Sequence, residues 1–155
     1  MEKKQTYLRG EIYLANLDSY FGSEQGGTRP VLVLQNNVGN YHSPTLIVAP
    51  LTGNPWKKPD FPTHCRVEAR GKLMFPSIVM LEQITTIDKG RIIEFMGQLD
   101  KAEMKQIDRA VEVSLGLREI SKRSMHLTYR DRYNGSGYLD MTTYLAMRNI
   151  ERRGG

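Results

Sequence analysis

The stretch GSEQGGTRPVLVLQNN, residues 22–37, changes character halfway along. Its first half is polar and carries three glycines; after Arg29 and Pro30 it becomes the unbroken apolar run Val31, Leu32, Val33, Leu34. Apolar side chains on successive positions mark a strand covered on both faces, because neighbours along a strand point to opposite sides. Arg29 stands at the seam between a flexible loop and a buried strand. It reads either as a solvated residue at a strand start or as a cation that the loop aims at a phosphate, and the local residues leave both readings open.

Working outward, YLRGEIYLANL alternates apolar residues and reads as a strand before this one, and TLIVAPLT as a buried strand after it. THCRVEA, PSIVMLEQ and RIIEFMGQL read as three more. SYFGSEQGG reads as a loop, NVGNYHSP and TTIDKG as turns, and GNPWKKPDFP, rich in Pro, Gly and Lys, as a mobile loop. The period changes at DKAEMKQIDRAVEVSLGL. Met104, Ile107, Val111 and Leu115 fall on one helical face, and Asp100 followed by Glu103 predicts a capping box. Five or six short strands with tight turns and one closing helix predict a mainly β domain with a C-terminal helix, built as a small, strongly bent sheet or barrel.

The 155 residues suit one compact domain with an appendage. A content of 39% apolar and 25% charged residues excludes a disordered chain. Cys65 has no partner for an internal disulfide, no apolar segment follows the charged N-terminus, and no run approaches bilayer length, so a reducing cytoplasm is the expected location. The net charge of +5 is uneven: residues 1–117 hold 14 Lys and Arg against 13 Asp and Glu, whereas residues 118–155 hold 8 against 4. Nucleic acid would therefore meet a local groove on the main domain and not a general basic surface.

In their order and spacing, RGEIYLANL, GSEQGGTRPVLVLQNNVGN, SPTLIVAPLT, PTHCRVEA, VMLEQITTIDKGRI and GQLDKAEMKQIDRAVEVSLGL resemble the MazF/PemK toxins, and most closely those of Gram-positive bacteria. The resemblance spans about three-quarters of the chain. It implies an SH3-like β-barrel of the CcdB/PemK type over residues 1–117, acting as a homodimer, followed by a basic extension of unassigned role over 118–155. The implied activity is that of a metal-independent, sequence-specific endoribonuclease (an mRNA interferase). It would cut single-stranded RNA to leave a 2′,3′-cyclic phosphate or 3′-phosphate and a 5′-hydroxyl. The implied partner is a MazE-like antitoxin with an acidic tail, with operator DNA as a further target of the toxin–antitoxin complex.

The residues are compatible with that chemistry. His42, His64 and His126 are far apart, and no HxH, HExxH or CxxC occurs, so neither a metal nor a cofactor is expected. RNA supplies its own nucleophile in the 2′-hydroxyl. The protein has to accept that proton, offset charge on the phosphorane and protonate the leaving oxygen. Arginine suits the second task, since its planar fork stays charged and binds two phosphate oxygens. The resemblance makes Arg29 and Thr52 catalytic, with Thr52 bonding the scissile phosphate or the 2′-oxygen. Glu24 is a candidate proton acceptor or an orienting partner of Arg29. Gly26 and Gly27 are expected to allow positive φ and a close approach to RNA, and Pro30 to hold Arg29 extended. Gln25 and Gln83 are candidates for reading bases, and Trp56 and Lys57 for stacking on and neutralising the strand. Some relatives pair an arginine with an acid at the positions of Met80 and Glu82; Met80 removes that pair here. Two other functions fit the architecture: a gyrase-inhibiting toxin of the CcdB type, and an inert DNA-binding co-repressor.

Overall fold

The computed structural model describes residues 5–53 and 61–119, which form seven strands and two α-helices. Strands β1 (Glu11–Asn16) and β2 (Thr28–Val33) pair antiparallel, with Ile12 opposite Leu32 and Ala15 opposite Arg29. Next comes β3 (Thr45–Thr52), which sets Pro50 against Val31 and Val48 against Val33.

The other edge of β3 changes partner. Thr45 to Val48 pair with β6 (Thr85–Asp88), whereas Leu51 and Thr52 pair with β5 (Ser77–Met80). β4 (His64–Val67) adds to β5, and β7 (Ile92–Gln98) adds to β1 through two register shifts. The path β4-β5-β3-β2-β1-β7 is not closed by a β4–β7 ladder among the described residues. The partner switch and the shifts bend this open sheet.

Alternation along the strands sends side chains to two cores. Ile12, Leu32, Ala49 and Leu51 pack on one face beneath helix α2 (Lys101–Ser114), which buries Ile107 and Ala110 there. Tyr13, Ala15, Val31, Val33, Leu46 and Val48 pack on the other face with Tyr7 and Ile87. The apolar run after Pro30 is therefore covered on both sides, as its pattern requires. Truncating fully buried Leu32 to Ala would cost about 2–5 kcal/mol. The capping box of α2 is formed: Asp100 accepts from the Glu103 N–H, and the Glu103 carboxylate accepts from the Asp100 N–H.

Three expectations need correction. NVGNYHSP is not a plain turn, because Asn37–His42 form the short helix α1, capped by Asn36 accepting from Gly39 N–H. Buried Asn40 holds it by donating to the Gln35 carbonyl. TTIDKG contains strand β6 and then a 3-10 turn at Lys89–Arg91. This raises the strand count to seven, and β6 exists because β3 pairs with it, since Ile87 is its one buried residue. Leu115 is exposed at the C-cap of α2 instead of completing the buried stripe.

Candidate active site

The loop between β1 and β2 is closed by its own backbone. Leu17 N–H donates to the Gly27 carbonyl at 3.0 Å. Gly27 sits at φ +73°, a conformation that favours glycine. Gly26 is needed for a different reason from the one expected. Its φ is not positive, but a Cβ there would lie 1.6 Å from the ring of Tyr20.

Arg29 leaves β2 beside this loop and is held by it. Its Nε donates to the Gly26 carbonyl at 2.8 Å, and its Nη1 donates to Oε1 of Gln25. Neither of these two contacts uses Nη2 of the guanidinium. Glu24 is not among the orienting partners of Arg29: its Oε2 accepts from the Phe21 N–H at 2.9 Å and closes a turn within the loop.

Thr52 is the last residue of β3 and pairs with Ile78. Continuing the β2–β3 register two residues past Val31 and Pro50 sets Thr52 across from Arg29. Both continue the face that carries Val31, Val33 and Val48, so both emerge on the same side of the sheet.

A polar cavity of about 330 Å³ opens on this side. Glu24 and Gln25 enter it from the β1–β2 loop, Glu82 and Gln83 from a 3-10 turn after β5, and Pro50 from β3. The sequence-selected residues Glu24, Gln25 and Gln83 thus come together. Arg29 and Thr52 are not among its walls, and Arg29 reaches it through Gln25. Asp18, Tyr20, Thr85, Thr86 and Arg91 line it too. They carried no local signal, because their roles arise from segments that meet only in space.

Glu82 is fixed from two sides. Thr63 Oγ1 donates to its Oε2 at 2.9 Å, and Nε2 of buried His64 lies 2.7 Å from its Oε1. Burial pushes the Glu82 carboxyl up, but the hydrogen bonds from His64, its own backbone N–H and Thr63 outweigh it and hold the group below the usual carboxylate range. Phe61 packs edge-on against the His64 ring, 4.7 Å between centroids. His64 Nδ1 is buried without a hydrogen-bond partner among the described residues.

Trp56 and Lys57 lie outside the described residues, as do His126 and the extension from residue 120. No group of three or more His, Cys, Asp or Glu side chains gathers to hold a metal ion among the described residues. Cys65 lies at a second cleft against α2, where burial pushes its thiol up to about 11. No helix among the described residues is long and apolar enough to cross a membrane.

Residues 8–115 match the profile of the family described as PemK-like, MazF-like toxin of type II toxin-antitoxin system. The chain belongs to this toxin family. Its sequence is 47% identical over 113 residues to an endoribonuclease MazF of Staphylococcus saprophyticus, covering 72% of this chain and 93% of that protein. Among solved structures, an endoribonuclease in complex with its cognate antitoxin from Mycobacterial species matches with a TM-score of 0.60 and 25% identity, over 74% of this chain and 99% of that one. A MazF from Deinococcus radiodurans shares the fold, with a TM-score of 0.61 and 21% identity over 73% and 99% of the two chains. The matched span includes every site residue named above in the MazF/PemK fold.

Proposed function

We propose that this chain is a MazF-type endoribonuclease toxin acting on single-stranded RNA in the cytoplasm. The identity to the staphylococcal endoribonuclease supports the activity. The observation that supports the chemistry is that Arg29 and Thr52 continue one face of the paired strands β2 and β3, the side on which a polar cavity opens. In this reading the RNA 2′-oxygen forms a bond to the adjacent phosphorus, the bond from phosphorus to the 5′-oxygen breaks, and a 2′,3′-cyclic phosphate results. The 2′-proton passes to an acceptor, for which Glu24 keeps its second carboxylate oxygen, and the leaving oxygen takes up a proton.

Arg29 offsets the phosphorane charge from the Nη2 end of its guanidinium while Gln25 and Gly26 hold the rest in place. Thr52 donates its hydroxyl to the phosphate. Gln25 and Gln83 read base edges in the cavity, and Trp56 and Lys57 flank the strand. The working form is a homodimer, and the inhibitor is an antitoxin with an acidic segment that competes for the same groove. The Mycobacterial endoribonuclease complexed with its cognate antitoxin supports an antitoxin as the partner.

The test is an oligonucleotide with one 2′-deoxy residue on the 5′ side of the scissile bond, compared with all-RNA in excess EDTA. The deoxy strand should bind and stay intact, and EDTA should leave RNA cleavage unchanged. Cutting of the deoxy strand, or a Mg²⁺-restored loss in EDTA, defeats the chemistry. DNA breaks that require gyrase, with RNA intact, defeat the activity itself.

A further inference from the structure

We infer that Arg91, which lies 62 positions along the chain from Arg29, is a positioning residue of the RNA site. It follows β6 in the Lys89–Arg91 turn, and its side chain reaches back to the start of the β1–β2 loop. Its Nη1 donates to the Asn16 carbonyl at 3.1 Å and to the Asp18 carbonyl at 2.9 Å. These two carbonyls flank Leu17, whose N–H closes the loop onto Gly27. At the other end, Arg29 holds Gly26 and Gln25. One loop is thus gripped at its β1 end by Arg91 and at its β2 end by Arg29, and Leu17 to Gly27 is the bond that joins the two ends.

Charge gives Arg91 a second task. The cavity walls carry the carboxylates of Asp18, Glu24 and Glu82, and Arg91 is their one cation among the described residues. Without it a polyanion would meet three carboxylates. An arginine that fixes two carbonyls from one nitrogen, and forms no ion pair among the described residues, keeps its charge directed at the cavity.

This inference rests on the endoribonuclease reading for its kinetic arm and not for its structural arm. Arg91→Lys keeps the charge and a donor able to serve both carbonyls, whereas Arg91→Met keeps neither. In Arg91→Met, kcat should fall roughly 10- to 100-fold, as for other small misplacements of catalytic groups, and KM should rise. Arg91→Lys should restore most of both. Amide exchange at Leu17 and through residues 18–27 should quicken in Arg91→Met while the strands stay protected. A wild-type chain that does not cut RNA would sink the proposed function and leave the exchange measurement to decide the role of Arg91. Equal rates and equal exchange in Arg91→Met and wild type would overturn the inference. So would unfolding of both variants, which would make Arg91 a stability residue.

Discussion

The β2–β3 ladder ends at the Val31–Pro50 pair, and Arg29 and Thr52 each lie two residues beyond it on their own strands. Each is held by its own strand partner, Arg29 opposite Ala15 and Thr52 opposite Ile78. Mutating either one should therefore leave the other in place. Arg29→Ala should lower the cleavage rate roughly a hundredfold to a thousandfold, the usual effect of removing a charge-stabilising donor. Arg29→Lys should recover little, since an ammonium cannot serve Gly26, Gln25 and a phosphate from one fork. Thr52→Ala should also cut the rate, and Thr52→Ser should restore it. Single-turnover cleavage with circular dichroism on the same samples checks this; near-wild-type rates in folded Arg29→Ala would remove Arg29 from the site.

Gly26 and Gly27 are predicted to fail differently on substitution. An alanine at Gly26 collides with the Tyr20 ring, whereas one at Gly27 meets no atom within 4 Å and faces only its φ of +73°. Gly27→Ala should cost about 1–2 kcal/mol of backbone strain. Gly26→Ala should displace Tyr20 and slow cleavage, and the added change Tyr20→Ala should restore part of the rate. A double variant no faster than Gly26→Ala would place the fault elsewhere.

Glu103 should govern part of the acid stability. Two hydrogen bonds from Arg70 pull its carboxyl below the usual range; burial pushes the other way, and the Asp100 N–H adds to the lowering. A carboxyl whose pKa is lower in the folded state stabilises the fold above its unfolded value and loses that contribution as pH falls through the folded one. Thermal melts of Glu103→Gln should show a loss at pH 7, about 1–2 kcal/mol for a cap and a charged hydrogen bond, and a smaller gap from wild type at pH 3. A constant gap across pH would assign the effect to packing.

Removal of residues 120–155 should leave cleavage intact, because every site residue named lies earlier. The removed segment carries seven Lys and Arg against three Asp and Glu. RNA affinity should then weaken and its salt dependence flatten. A folded but inactive truncation, measured by cleavage and by binding at two salt concentrations, would show that the segment completes the site.

The elements that were legible are those whose own residues carry the pattern. The run after Pro30 has apolar side chains for two faces, and α2 has both its stripe and its capping box within a few positions. The motif around Arg29 was legible for the same reason, as a contiguous string that resembles MazF/PemK. Helix α1 was not, because it rests on caps from Asn36 and on buried Asn40, and neither creates an apolar period. Strand β6 was not, because four residues with one buried side chain become a strand only against β3.

By itself, then, the sequence determined the core strands, the closing helix and the family, and it singled out Arg29, Thr52, Glu24, Gln25 and Gln83 as candidates, since each is written in neighbouring residues. Tertiary structure decided which of them share a wall. It tied Glu24 to Phe21 instead of Arg29, gave Gly26 to the Tyr20 ring, and brought Glu82 to His64 and Arg91 to Asn16 and Asp18. The physical reason is that hydrogen bonds and ring contacts form where the bent sheet carries atoms within reach, and for the last three pairs the chain separations are 18, 75 and 73 residues. No local periodicity encodes such meetings.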